Sequence, residues 1–440
     1  MPEVKQAEIR QEARKLVRDR ALRDRALRVV PGLAQTFSKG PLSFVSEISP
    51  SFVSRAKGAH VWDVDDTCYI DYILGLGPII LGHAHPAVNR AIVEQLELGV
   101  SFSLPHAIEV ELSELLCELI PCAEMVRFGK NGSDATSGAI RLARAYTGRD
   151  KVARCGYHGW QDWYIGSTSR HRGVPDAVRA LTLAFPYNDL PALQKLFREN
   201  PGEIACVILE PVTFDDPSEG YLAEVKTLCQ REGALLIFDE IITGFRLHLG
   251  GAQAHYGVTP DLACFGKAMA NGLPLAAIVG KAEYMRLFEE VFFSFTFGGE
   301  AASLAASLAT IRTMREENVV EFLWSNGGLL RDGANRILRE MGLHEHFVWA
   351  GLSPWTTLRP LGAAVAHGLE WRSLFQQECI ERGILTHGNH MLSFAHNEEV
   401  VSDTLHTYKA VFAVLAEAVH GDGPLGFLRG RPMQAVMRQS

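Results

Sequence analysis

The chain has no run of residues apolar enough to span a bilayer; stretches such as Pro274–Gly280 fall far short of the roughly 20 residues a spanning helix needs. Its eight cysteines contain no CxxC pair and no Cys/His cluster at zinc spacing, which argues against a metal-stapled module and for packing thiols in a reducing compartment. HExxH is missing, and His344-Glu345-His346 is spaced wrongly for two ligands on one helix face. GxSxG is missing too, which argues against a hydrolase elbow. The Walker pattern fails at Gly266-Lys267, because Asp261 stands where glycine is needed and Ala268 where Ser or Thr is needed. GxGxxG occurs once, at Gly421–Gly426, but only Phe427–Ser440 follow it, too few for a βαβ unit.

Positive charge is not in excess: 43 Lys and Arg face 51 Asp and Glu, a net −8, which argues against nucleic acid as the partner. The N-terminus is basic from Lys5 to Arg28, yet it also carries Glu3, Glu8, Glu12, Asp19 and Asp24 and has no apolar core of the kind a signal peptide needs. It reads as a charged amphipathic helix, and the chain as cytoplasmic. Repeats and Pro/Ser-rich linkers are also missing. Asn131-Gly132-Ser133 matches a glycosylation sequon, but without a secretory leader the match reads as chance.

At 440 residues the chain exceeds the roughly 250–300 at which a single core stops growing, so at least two lobes are expected. Val61–Tyr72 alternates around Asp65-Asp66-Thr67 and predicts a hairpin. Helices are expected over Pro86–Leu98, with proline in its first turn, and over Ile108–Leu119, stopped by Pro121. From there to about residue 300, short apolar runs alternate with amphipathic helices. Ala205–Leu209, Ala234–Phe238 and Leu262–Phe265 read as buried strands, with Tyr221–Arg231 as a helix between the first two. That rhythm predicts a mostly parallel sheet covered on both faces. Val319–Met341 reads as a helix, and the tail from about 345 as a smaller α+β lobe.

Open α/β sheets place their working groups just past the carboxyl ends of strands. Three such ends here carry ionisable residues: Glu210, Asp239 and Lys267. Gly132 and Ser133 open a helix with an apolar stripe at Ala135, Ala139, Ile140, Leu142, Ala143 and Tyr146. They present free N–H groups and a hydroxyl to an anion, although an ordinary N-cap accounts for the same pattern. Together these parts meet the needs of pyridoxal 5′-phosphate (PLP): a lysine (Lys267) to hold the cofactor, a carboxylate (Asp239) to keep its pyridine nitrogen protonated, a phosphate cup (Gly132, Ser133), and a flat group over the ring (Tyr157, with His158 beside it).

Longer stretches then carry a resemblance. They are Arg55–Ala59, Asp63-Val64-Asp65, Gly82–Pro86, Tyr157-His158-Gly159-Trp160, Phe238–Arg246, Gly257–Asp261, Gly266-Lys267 and Thr296–Gly299. From about Ala56 to Ser307 the chain resembles the class III, fold-type I PLP aminotransferases, in particular the glutamate-1-semialdehyde aminomutase branch. The resemblance implies an α/β fold-type I architecture, with a seven-stranded-type sheet in a large domain (86–315). It implies a small α+β domain (316–440) joined by an N-terminal helix and segment (1–85). It further implies Lys267 as the Schiff-base lysine and general base, Asp239 as the pyridinium partner, Ile241 as the apolar residue under the ring and Glu210 as an acid near the ring oxygen. Thr296 is implied to reach the phosphate of a neighbouring subunit, which makes the enzyme a homodimer.

Three departures bear on the reaction. Aminomutases carry an arginine in a Ser-Pro-Val-Arg stretch where this chain has Ala34–Lys39. They have tryptophan where Leu76 precedes Gly77-Pro78, and they have a carboxylate shortly before the final Ser-Leu-Ala-His, which His387–His396 lacks. We therefore expect intermolecular amino transfer from an amino-acid donor to an aldehyde or ketone, sugar-derived or otherwise specialised. The alternatives are an intramolecular aminomutase and a PLP-binding regulatory module without turnover. Lys39, Leu76, His387 and Asn389 are the candidate substrate residues, with His390 beside them; a polar loop with capping roles accounts equally for the histidines.

Overall fold

The computed structural model of the protein describes residues 16–435. Among these, fourteen strands occur in chain order: β1 Val53–Lys57, β2 His60–Asp63, β3 Cys68–Asp71, β4 Met125–Gly129, β5 Lys151–Cys155, β6 Thr182–Ala184, β7 Ile204–Leu209, β8 Leu235–Asp239, β9 Leu262–Phe265, β10 Ala276–Gly280, β11 Phe347–Leu352, β12 Trp355–Pro360, β13 Ile384–Leu385 and β14 Asn389–Met391. Seven of them form one sheet in the order β4-β10-β9-β8-β7-β5-β6. The sheet is parallel from β6 through β9, as the alternating pattern predicts. β10 is the exception: it runs antiparallel to both β4 and β9.

Strand residues divide between the two faces with a period of two. Cys206, Ile208, Leu235, Ile237, Leu262, Cys264, Ala276 and Ile278 form one apolar layer with Ala135, Ala139, Leu142 and Ala143 of the helix Gly132–Thr147. The alternate residues, Val207, Leu209, Leu236, Phe238, Ala263, Phe265, Ala277 and Val279, belong to the larger cluster on the other face. Burial on both faces explains why these strands read as unbroken apolar runs. Each fully buried Ile, Val or Leu adds about 1.5–3 kcal/mol of transfer free energy. The helix Gly132–Thr147 lies close on the sheet because Gly138 offers no side chain: a Cβ there would meet Ile278 Cδ1 at 2.5 Å.

The expected hairpin is β2–β3, paired antiparallel with Val61 opposite Tyr69. Its turn is held by Asp63, whose carboxylate accepts from the N–H groups of Asp65 (2.9 Å) and Thr67 (2.8 Å) and from the Tyr69 hydroxyl (2.8 Å). A helix over Val17–Ala26 docks on this turn, with Arg18 and Asp19 N–H donating to the Asp65 carboxylate. Asp19 itself is buried and accepts from Ser51 and Phe52 N–H. Residues 5–15 of the expected N-terminal helix lie outside the described residues.

β3 also pairs in parallel with β13, so the N-terminal strands and the C-terminal part of the chain share one four-stranded sheet. A second small sheet, β11-β12-β14, packs with the helices Val319–Glu340, Gly368–Glu381 and Glu398–His420. The hydrophobic cluster that begins at Tyr72 runs without a break through the large sheet to Leu415 and Ala418.

Candidate active site

Parallel strands deliver their carboxyl ends to one edge of the sheet. The register aligns Cys155 with Leu209, Leu209 with Phe238, and Asp239 with Cys264. The segments after β5, β7, β8 and β9 therefore emerge side by side, carrying Tyr157 and His158, then Glu210, Asp239 and Lys267. β4, antiparallel to the reversed β10, ends on the same edge and leads into the helix Gly132–Thr147.

Asp239 is buried and held from two sides. Its Oδ1 accepts from Ile241 N–H at 3.1 Å, and its Oδ2 lies 2.8 Å from His158 Nδ1. The other ring nitrogen, His158 Nε2, lies 3.0 Å from the Cys155 carbonyl. A carbonyl only accepts, so Nε2 carries hydrogen, and Nδ1 faces the Asp239 carboxyl group. Trp163 stacks on His158 with ring centres 6.1 Å apart, and Tyr164 meets it edge-on at 5.4 Å.

Lys267 follows β9 with φ 42°, in the left-handed region that L-residues avoid at about 1–2 kcal/mol. Burial lowers its pKa; the charges of Glu210 and Asp239 work against that, and the nearby Arg246 lowers it further. Glu210 is pushed up to about 7, first by burial and then by the charge of Asp239. Its Oε2 accepts from Tyr157 N–H at 2.9 Å. Gly156, at φ +102°, makes this close approach possible: a Cβ there would stand 2.5 Å from Glu210 Oε2.

At the start of the helix Gly132–Thr147, Asn131 and Asp134 cap each other. Asn131 Oδ1 accepts from Asp134 N–H at 3.1 Å, and Asp134 Oδ2 accepts from Lys130 and Asn131 N–H at 2.9 and 3.0 Å. The caps leave the N–H groups of Gly132 and Ser133 pointing out of the helix without a helical acceptor. Ser133 Oγ accepts from Trp160 N–H at 3.2 Å. Ile241 is the wedge of the site, since a Cβ on Gly132 or on Gly266 would meet its side chain at 3.2 and 3.1 Å. One isoleucine thus brings the helix start and the lysine turn to the same spot. Tyr157 is half exposed, its ring edge-on to Tyr164 at 5.5 Å.

Residues 45–344 match the family Aminotransferase class-III. The chain belongs to the class-III aminotransferases. Among curated relatives, this enzyme is 36% identical over 413 residues to the 3-aminobutyryl-CoA aminotransferase of Cloacimonas acidaminovorans, covering 92% of this chain and 98% of that one. It is 40% identical over 386 residues to the glutamate-1-semialdehyde 2,1-aminomutase of Roseiflexus castenholzii, covering 81% and 88%. Among solved structures, the FumI protein of Sphingopyxis sp. MTA144 in its PLP internal aldimine form superposes with a TM-score of 0.86 at 30% identity, over 94% of this chain and 99% of that one. An omega-transaminase from Sphaerobacter thermophilus does so with a TM-score of 0.82 at 27% identity, over 90% and 97%. The class-III aminotransferase is a PLP-dependent enzyme of fold type I, and the groups above supply what that cofactor requires. Two N–H groups without acceptors suit a phosphate, a buried carboxylate suits a ring N–H, and a lysine of lowered pKa suits a carbonyl carbon.

Among the described residues, none of the other sequence candidates is hydrogen-bonded to this group. Thr296 is exposed on the loop between Val291 and Glu300. Lys39 is exposed at the end of a single turn, Phe37–Lys39. Leu76 packs with Phe44 against Val61, Tyr69, Ile73 and Leu385. His387 and Asn389 each hold a buried polar atom without a partner. His390, by contrast, is fully buried, stacked on Trp349 at 3.9 Å and bonded to the Tyr408 hydroxyl; it belongs to the core.

Sequence patterns do not single out Arg246, although it closes the Phe238–Arg246 stretch. Its guanidinium is fully buried and donates to the carbonyls of Gly77 and Leu392, both at 2.8 Å. Burial lowers it to about 10. A cation held only by carbonyls has no periodicity to betray it.

Proposed function

We propose that the enzyme moves an amino group between two molecules, from an amino-acid donor to an aldehyde or ketone acceptor, with Lys267 and Asp239 as its catalytic pair. The observation that carries this is the meeting of a lysine of lowered pKa with a histidine-braced carboxylate at one sheet edge. Bound PLP supplies an electron-withdrawing ring that takes up the electron pair released when a substrate Cα–H bond breaks. Lys267 would hold the cofactor through its side-chain amine, and that amine, when free, would be the general base for the proton on the substrate Cα. Asp239 would hold a proton on the ring nitrogen, and His158 orients Asp239. Gly132 and Ser133 N–H would hold the phosphate. Tyr157 and Ile241 would flank the ring, and Glu210 would stand by its oxygen.

A homodimer with Thr296 crossing to the neighbouring site fits the surface around its loop. Ala301 N–H bonds Val100 O at 2.9 Å, so this loop and the segment after Gly99 lie together. Between them they expose Phe102, Leu104, Phe292 and Phe297 at 43, 79, 75 and 58%. An apolar face of that kind on a folded chain suits a second copy. The same proposal places residues 1–85 with 316–440 around a large lobe of 86–315. It is consistent with a cytoplasmic home: the eight cysteines are free, and no helix among the described residues is long and apolar enough to cross a membrane.

Intermolecular transfer is favoured by the Ala34–Lys39 stretch, which lacks the aminomutase arginine, and by Leu76 in place of tryptophan. It also suits the relatives named for 3-aminobutyryl-CoA and omega amino transfer. Adding single amino acids to the yellow holoenzyme and following the cofactor spectrum tests it. Conversion to the amine form with release of a keto acid is expected. Conversion only by a diamine or amino-aldehyde would instead mean an aminomutase, and silence toward every amine would end both.

A further inference from the structure

Lys267 opens a single turn, Lys267–Ala270, and Asn271 closes it. Both ends stand in the left-handed region, Lys267 at φ 42° and Asn271 at φ 43°. The turn's own backbone bonds are loose. Met269 N–H donates to the Gly266 carbonyl at 3.0 Å, and Asn271 N–H reaches the Ala268 carbonyl only at 3.4 Å. Ala268, Met269 and Ala270 are buried. Apolar contact is non-directional, so their burial holds the turn down more than it fixes its rotation. Direction comes from the Asn271 side chain. Its Oδ1 accepts from Leu81 N–H at 2.9 Å, and its Nδ2 donates to the Gly82 carbonyl at 3.0 Å. One backbone donor and one backbone acceptor dictate which way the amide faces. Glycine would meet the left-handed φ equally well; the two bonds need the amide.

The segment that Asn271 grips is fixed on two other sides. The Ile80 carbonyl accepts from Phe394 N–H at 2.8 Å, and His83 exchanges N–H···O bonds of 2.8 and 2.9 Å with Gly58. Gly82 lies between these neighbours, since a Cβ there would fall 2.6 Å from Ala395 Cβ and 3.2 Å from the Gly58 carbonyl oxygen. The residue after Asn271 meets the same segment: a Cβ on Gly272 would stand 2.7 Å from Ile79 Cδ1. Ile79–His83 is therefore a junction of three parts, namely the β1–β2 turn, the segment after β14 and the turn that carries Lys267.

We propose that Asn271 is a positioning residue for Lys267: through Leu81 and Gly82 it sets the rotation of the lysine turn against the segment after β14. Lys267 carries its amine on a flexible four-carbon stem, so the direction in which the backbone launches that stem decides what the amine can reach. A misplacement of about 1 Å at such a group can cost roughly 10²-fold in rate. Asn271 acts on the reaction only through the backbone of the turn. The role rests on the proposed function above, in which Lys267 holds PLP and serves as the base.

The test compares wild-type holoenzyme with Asn271→Gly, which accepts the left-handed φ and deletes both bonds. It reads the visible circular dichroism of the bound cofactor relative to its absorbance, the kcat and KM of the donor half-reaction, and Tm. Positioning predicts altered ellipticity and a kcat lower by roughly 10- to 100-fold, with KM within about twofold. A variant that loses Tm but keeps wild-type ellipticity and kcat has lost only a structural tether, and overturns the proposal. Asn271→Asp decides the matter if Asn271→Gly does not fold. Its carboxylate keeps the bond from Leu81 N–H but sets an oxygen against the Gly82 carbonyl, so at pH 8 ellipticity and kcat should both depart from wild type. Wild-type values of both there overturn the proposal equally. Lys267→Ala separates this role from the reading beneath it. Loss of the wild-type cofactor band in that variant keeps Lys267 as the cofactor's lysine whatever Asn271 does, whereas a retained band removes that function and the positioning role with it.

Discussion

His158 Nδ1 lies 2.8 Å from Asp239 Oδ2, while the opposite nitrogen of the same ring faces the Cys155 carbonyl. The imidazole therefore transmits a backbone anchor at the end of β5 to the carboxylate at the end of β8, two strands away in the sheet. His158→Phe should leave Asp239 without its imidazole partner. Loss of a hydrogen bond to a charged group is worth about 1.5–3 kcal/mol, so the donor half-reaction should slow roughly 10- to 100-fold. Stopped-flow absorbance would measure it, with the donor KM changing much less than kcat. A purely structural histidine would lower Tm and leave the rate of the surviving holoenzyme intact.

Lys267→Ala should still bind PLP through the phosphate and ring contacts, yet fail in transfer. Removing the general base should lower turnover by at least ~10²–10⁴-fold. Single-turnover assays with pre-bound donor decide it; near wild-type turnover would show that Lys267 is not the base.

Glu210 imposes a pH dependence on stability. Its folded pKa of about 7 lies above the ordinary 4.5, so the folded chain binds more protons than the unfolded one between these values. Stability therefore falls as pH rises through that window, by up to roughly 3 kcal/mol for a shift of this size. Glu210→Gln removes the effect, so the variant apoenzyme should gain on wild type between pH 4.5 and 7 and hold its lead above. Urea unfolding at pH 5 and pH 8 measures it, and an equal difference at both would refute the assignment.

Gly159 stands at φ +109°, where a Cβ would fall 2.1 Å from Ser133 Oγ. Gly159→Ala must push the helix start out of place. The penalty should be about 1–3 kcal/mol, from backbone strain together with displacement of the cup. PLP affinity, measured by equilibrium dialysis, should drop accordingly, while unfolding of the apoenzyme shifts by less.

Thr296→Ala distinguishes a shared site from a self-contained one. If Thr296 crosses to the neighbouring phosphate, PLP retention should weaken by roughly 0.5–1.5 kcal/mol, the ordinary worth of one hydrogen bond, with no change in sedimentation. Unaltered PLP affinity would remove Thr296 from the site.

Much of the scaffold is written in neighbouring residues. Pro86 opens the helix that ends at Leu98, and Asp63 organises its own hairpin turn through N–H groups two and four residues on. The apolar run Ile204–Leu209 specifies a strand buried on both faces. These depend on periodicity and turn chemistry within a few residues, which is why the ends carrying Glu210, Asp239 and Lys267 were legible. The reversed direction of β10 was not, since a short apolar strand reads the same either way.

Tertiary structure alone decided the rest. Asp239 and His158 are 81 residues apart in the chain and meet only because β5 and β8 flank β7 in register. Ile241 keeps Gly132 and Gly266 without side chains because three separate loops converge on it. Arg246 looks in the sequence like any surface arginine; burial gives it its character, and burial is a property of everything packed around it. Local pattern sets which segments become strands and helices, whereas the partners of a buried charge are set by how distant segments pack.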